Sequence, residues 1–160
     1  MKYDQGDPAE LREKFWHAME DSPFVMLQLD GEPDSAVPMT AQLDRDAHHA
    51  IWFFTSRDNH LAKAGAATAT FVSKGHDLFA RFVGTLAEET DRARLDKEWN
   101  NWVEAWFPGG KEDPNLLFLR MDLGKAVIWA GELGVVNTVK MALGMDVTDS
   151  IKGGYAETRI

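Results

Sequence analysis

The sequence predicts an α+β protein, mainly antiparallel β, with six or seven strands curling into a barrel and helices at its flanks. Three observations predict it. Seven short runs rich in β-branched and aromatic residues lie between Phe24 and Ala130. The links joining the first three runs are short enough to force antiparallel reversals. Helical patterns fall outside or between the runs and do not alternate with them as parallel βαβ units require.

Taken in order, Met1 to Gly6 reads as a loose end. Asp7-Pro8-Ala9-Glu10 starts a helix, with Asp7 as N-cap, Pro8 at the first helical position and Glu10 completing a capping-box pattern. Leu11, Phe15, Ala18 and Met19 follow at helical spacing to about Asp21, and Ser22-Pro23 ends the run. Phe24–Asp30 is the first strand. Ala36–Leu43 is the second, and Pro38 within it requires an edge, a bulge or a break facing a ligand. Ala50–Thr55 is the third. Ser56-Arg57-Asp58-Asn59 then breaks it, and Asn59 is placed to cap a short helix over His60–Ala67.

Thr68–Ser73 and Leu78–Glu88 are the fourth and fifth strands, with a bulge or bend at Gly84. Thr90-Asp91 caps a helix that sets Leu95, Trp99, Trp102, Val103 and Trp106 on one face, either a packing face with Trp106 in the core or a stacking platform for a planar ligand, packing being favoured. Phe107-Pro108-Gly109-Gly110 stops it. Leu116–Asp122 and Ala126–Ala130 are strands six and seven around a Gly124-Lys125 turn. Gly134–Leu143 forms a last short helix, and a polar tail runs to Ile160. The whole reads as one domain over 1–160, with a core at 8–132 and an appendage at 133–160.

The net charge of −9 argues against nucleic acid or an anionic membrane as main partner, so an anionic ligand needs a local cationic pocket. With no Cys, thiolate catalysis and Cys-based zinc sites are excluded. The polar, acidic start is unlike a secretory signal, and no apolar run approaches the ~20 residues of a membrane span. A cytoplasmic protein is expected. No dinucleotide fingerprint, phosphate-binding loop or nucleophile elbow is present. His48 and His49 are neighbours on extended chain and point opposite ways, a poor chelate, so no metal site is expected. One stretch stands out. Ile51–Thr55 are all β-branched or aromatic, and the strand delivers Ser56, Arg57, Asn59, His60 and Lys63 to a helix start. That is either an ordinary capped turn or an anion cradle.

Several pieces in order resemble the pyridoxamine 5′-phosphate oxidase-like FMN-binding split barrels, and within them the bacterial general stress protein 26 group. They are Lys14-Phe15-Trp16, Pro38-Met39-Thr40, Ile51-Trp52-Phe53-Phe54-Thr55-Ser56, Trp106-Phe107-Pro108-Gly109-Gly110, Asp113-Pro114 and Ala126-Val127-Ile128-Trp129. The resemblance implies a split β-barrel that forms a homodimer with FMN at the subunit interface. It implies ring contacts at Pro38, Met39, Thr40, Phe53, Phe54 and Thr55, partly through backbone groups. It implies phosphate contacts at Ser56, Asn59, His60 and Lys63, with Arg57 outside them, and an aromatic near the flavin or substrate at Trp129. Val37 stands where many relatives carry Arg. The function implied is a stress-related FMN protein with flavin-dependent oxidoreductase activity. A flavin-binding protein without turnover and a barrel that has lost its flavin are the alternatives.

Overall fold

In a computed structural model, residues 3–131 and 153–160 are described. The expected helix at Gly134–Leu143 lies outside them. The two longest strands, β6 (Leu78–Glu88) and β7 (Leu116–Gly131), pair antiparallel and form the spine of the sheet. From β6 the sheet continues through β5 (Gly65–Val72) and β2 (Phe24–Leu29) to β3 (Val37–Thr40). On the opposite edge of β7, β4 (Ala50–Ser56) pairs with its first half and β8 (Gly153–Arg159) with its second. β1 (Tyr3–Gln5) adds to β8 in the one parallel pairing among the described residues. The prediction of a mainly antiparallel α+β fold holds.

β3 and β4 close the ring formed by β4, β7, β6, β5, β2 and β3 at one point only. Gln42 and Trp52 exchange backbone hydrogen bonds of 2.8 and 3.1 Å. Beyond that bridge the strands part, which makes this a split barrel. Pro38 sits in β3, which pairs only with β2, so its missing N–H costs no ladder bond on the free side.

Helix α1 (Pro8–Asp21) begins as the sequence predicts, with the Asp7 carboxylate accepting from the Glu10 N–H at 2.9 Å. Leu11, Phe15, Trp16 and Met19 are buried, Phe15 edge-on to both Phe71 and Phe82 in the barrel core. Burying side chains of this size contributes about 1.5–3 kcal/mol each.

Four local expectations about strands and turns change. The start of the chain is partly a strand, since Tyr3–Gln5 pairs with β8. The expected polar tail holds β8 itself, over Gly153–Arg159. The expected strands six and seven are one strand, because Gly124-Lys125 is no turn. Phe82 pairs with Ala126 and Gly84 with Leu123, so these two residues oppose Val83 alone in a bulge. The bulge expected at Gly84 is therefore present, with its extra residue on β7. The helix expected over His60–Ala67 is a single 3-10 turn, His60–Lys63, ended by Ala64 and Gly65 at φ 57° and 98°.

The tryptophan helix is two helices, α2 (Arg92–Glu98) and α3 (Asn101–Trp106). Trp99 is extended, and Asn100 caps anew through the Trp102 and Val103 N–H groups. This resets the helical phase. Leu95, Val103 and Phe107 bury against Trp52, Leu116 and Phe118 with Trp99 beside them, while Trp102 and Trp106 are left 85% and 81% exposed. Trp106 is not a core residue.

Candidate functional site

The place where the barrel fails to close is defined by β3 and β4. Extending the register of the Gln42–Trp52 bridge would set Thr40 against Phe54 and Pro38 against Ser56. The strands separate there instead. Backbone polar groups of alternate residues point to the same strand edge. Phe54 thus turns its outer N–H and C=O toward the gap, as Trp52 does toward Gln42, but no strand lies opposite among the described residues. A paired edge thereby becomes a cleft lined by peptide groups with capacity for a ligand.

The cleft is fixed at both ends. At its closed end the Asn100 side-chain amide donates to Gln42 Oε1 at 3.1 Å. Asp44, buried two residues further on, accepts from Arg94 and Lys97 at 2.5 Å each and from the Asp46 N–H at 3.0 Å. Those contacts, Lys97 foremost, hold the Asp44 carboxyl well below the ordinary carboxylate range. Arg94 also lies 4.2 Å above the Trp52 ring and bonds Glu98, whose own pKa burial pushes up. At the open end His60 Nε2 contacts the Ser35 carbonyl, and Lys63 pairs with Glu32 at 2.8 Å. The turn after β4 is thus tied to the turn before β3.

The chemistry predicted for Ser56–Lys63 is more committed than the sequence implied. Ser56 donates to Asp58, Asn59 caps the Leu61 N–H at 2.9 Å, and Arg57 pairs with Glu88 at 2.6 Å. A four-residue 3-10 turn also lacks the aligned peptides of a true helix, so the dipole argument for an anion cradle fails. What remains are side chains that can exchange one partner for another. The Lys63–Glu32 pair is 64% and 40% exposed, so opening it costs ~0–1 kcal/mol.

The remaining expected residues divide. Pro38 and Thr40 are exposed, while Met39 is buried toward the barrel. Phe53 is fully buried, and by the same alternation its peptide groups bond β7, so neither its side chain nor its backbone meets the cleft. Phe54 is half-buried, stacked on Phe118 at 4.5 Å and edge-on to Trp99. Thr55 is half-buried beside the gap. Trp129 is not brought to the cleft within one chain, since it lies on the half of β7 that pairs with β8, whereas Phe54 pairs with Phe118 on the other half of that strand.

Trp129 belongs instead to a row on the outer face. Val72 pairs with Phe79, Phe79 with Trp129, and Trp129 with Tyr155. Phe24 and Met26 continue this face on β2 at 63% and 43% exposure, ahead of Thr40 and Pro38 on β3. In the adjacent row Arg81 is exposed with no acidic partner among the described residues. Sequence reading passed over Arg81, although the alternation in Leu78–Val83 marks it as an outward cation between Phe79 and Val83.

An α+β split barrel with an open β3–β4 cleft and an apolar outer sheet face defines a structural class. The chain belongs to the pyridoxamine 5′-phosphate oxidase like family, whose model matches residues 10–151. Among solved structures it is similar to a general stress family protein from Xanthomonas campestris pv. campestris, at 49% identity over 79% of this chain and 90% of that one, with a TM-score of 0.71. It is similar to a general stress FMN/FAD binding protein from Xanthomonas citri, at 50% identity over 76% and 89%, with a TM-score of 0.69. A general stress protein 26 from a Jannaschia species shares 31% identity over 96% of this chain and 100% of that one, with a TM-score of 0.80. No match was found among curated proteins. No helix among the described residues is long and apolar enough to cross a membrane.

Proposed function

We propose that this chain is a cytoplasmic FMN-binding stress protein that works as a homodimer and has flavin-dependent oxidoreductase activity. The observation that carries the reading is the β3–β4 cleft, whose register gathers Pro38, Thr40, Phe54 and Ser56 around unpaired strand edges. The Xanthomonas citri relative, described as FMN/FAD binding, supports flavin as the ligand. The donor set fits FMN. Backbone groups of Pro38, Thr40 and Phe54 meet the ring edge, with Thr55 lying alongside, while Met39 and Phe53 turn their peptide groups into the β2 and β7 ladders behind them. Ser56, Asn59, His60 and Lys63 meet the phosphate, with Lys63 released from Glu32 and Arg57 further out. Bound flavin would supply the electron transfer, and the protein position and electrostatics.

The homodimer rests on the outer face. Phe24, Met26, Val72, Phe79, Val83 and Tyr155 are large apolar residues with at least 37% exposure on neighbouring strands. A contiguous patch of that kind marks an interaction surface. A second copy seated there would also bring its Trp129 to a cleft that its own chain cannot reach.

A flavin protein without turnover is the second reading. It is favoured by Val37 in place of a cation and by the engagement of Arg57 and Lys63 with Glu88 and Glu32. The test is an absorbance spectrum of purified protein, titration with FMN, and assay of reduced-nicotinamide oxidation. Bands near ~450 and ~370 nm with steady turnover support the first reading. Bands without turnover support the second. A colourless chain that does not bind added FMN overturns both and leaves a barrel acting as an interaction module.

A further inference from the structure

The outer face of the barrel carries a row of side chains that begins at the cleft. Thr40 of β3 pairs with Phe24, and one step along the β2–β5 register Phe24 stands beside Val72. Phe79, Trp129 and Tyr155 follow on β6, β7 and β8. The four inner members are aromatic or aliphatic, and a hydroxyl stands at each end. The Tyr155 hydroxyl has no hydrogen-bond partner among the described residues. Its strand is nonetheless fixed, since β8 lies between β7 and β1, and the Gly6 N–H donates to the Tyr155 carbonyl at 2.9 Å.

Within one chain Tyr155 is far from the cleft. Four strands separate it from Thr40 along the row, and across the gap Phe54 pairs with Phe118, on the half of β7 that β8 does not reach.

A two-fold interface sets one patch against itself, so the axis passes through the middle of that patch. The middle of this row falls between Val72 and Phe79. An axis there, parallel to the strands, reverses the row. Val72 then meets Phe79 of the partner subunit, Phe24 meets Trp129 of the partner subunit, and Thr40 meets Tyr155 of the partner subunit. The next row obeys the same operation. It runs Pro38, Met26, Thr70, Arg81, Val127, Glu157. Reversed, it sets Met26 on Val127 and the Arg81 guanidinium on the Thr70 hydroxyl, and it brings Glu157 beside Pro38 at the open end of the cleft. An axis along this second row would instead press Arg81 on its own copy with no carboxylate between them. An axis along the first row would leave Met26 and Val83 uncovered, because the β5–β6 turn lies just beyond it. The barrel is convex outward, so the copies touch at the middle of the row and part toward its ends, which leaves space at Thr40 for a flat ligand.

We propose that each cleft is completed by Tyr155 of the partner subunit, whose phenol O–H donates to a polar atom on the ring of the bound flavin. The inference rests on the flavin and homodimer reading above and adds to it a residue that one chain cannot supply to its own site.

Two measurements test it, one of geometry and one of role. The chain has no Cys, so Thr40→Cys combined with Tyr155→Cys introduces the only thiols. A short bis-maleimide should join them between subunits, giving a covalent dimer on a denaturing gel, and neither single variant should do so. Tyr155→Phe keeps the ring and should remain dimeric in sedimentation, with FMN binding weakened by about three- to tenfold, the loss of one hydrogen bond. A dimeric double variant that does not cross-link, or a dimeric Tyr155→Phe protein with undiminished FMN affinity, would overturn this inference and leave the flavin reading standing. A wild-type chain that is monomeric or binds no FMN would overturn both.

Discussion

Asp44→Asn is the perturbation that most directly probes how the cleft is held. The side chain keeps its size and its bond to the Asp46 N–H but loses its charge toward Arg94 and Lys97. The Arg94 contact is half-buried, with 22% of that side chain exposed, and a charge-assisted bond there contributes about 1.5–3 kcal/mol. Lys97 is 53% exposed and adds only ~0–1 kcal/mol. The total is about 2–4 kcal/mol, or roughly 4–16 °C in Tm for a domain of this size. Because Asp44 lies two residues from the Gln42–Trp52 bridge, FMN affinity should fall with it.

The pH dependence has a definite sign. The folded-state pKa of Asp44 is lowered, so its contribution is complete above the unfolded value near ~3.9 and is lost as pH falls through the folded one. Glu98 acts oppositely. Burial raises its pKa, so it withdraws stability as pH rises from ~4.3 through its folded value. The gap between wild type and Asp44→Asn should therefore be constant from about pH 8 to 6 and narrow in the acid range. Thermal melts across this range check both. A Tm change below ~2 °C at pH 7, or a gap as wide at pH 3 as at pH 7, would refute the assignment of Asp44 as the anchor.

Trp106→Ala should change stability by no more than ~0.5 kcal/mol, since the ring is 81% exposed; a drop of several kcal/mol in urea unfolding would return it to the core. Gly84→Ala should cost about 1–3 kcal/mol, because the new Cβ would lie 2.4 Å from the Asp122 carbonyl oxygen and backbone must move; a neutral melt would mean that the bulge yields freely. Lys63→Ala should weaken FMN binding by about 1–2 kcal/mol and Glu32→Gln should strengthen it, because the first removes the proposed phosphate partner and the second frees it. Equal affinities in fluorescence titrations of the two variants would remove Lys63 from the site.

The barrel was legible where local chemistry and tertiary packing agree. Asp7-Pro8 started a helix, Pro38 marked an edge strand, and the run from Ile51 became β4. The sequence misled where a local signal has two structural uses. Gly124-Lys125 has turn composition, yet here it accommodates the bulge opposite Val83. The spacing from Leu95 to Trp106 is helical throughout, but Asn100 caps a fresh start and turns Trp102 outward. At the cleft, the residue types around Ser56–Lys63 were readable. Their pairing with Glu32, Ser35 and Glu88, all 25 or more residues away in sequence, was not. The contacts of Arg12 with Thr158 and the Arg159 carbonyl join segments 147 positions apart, and no local pattern announces them.

That meeting of distant segments also bears on synthesis. β1 is made long before its strand partner β8, and Arg12 waits across 147 positions for the Arg159 carbonyl. Contacts so distant along the chain form only after the intervening loop has closed. The ring from β2 to β7 can assemble as the nascent chain lengthens, whereas the flank of α1 that β8 covers stays open to water and proteases until β8 has been made.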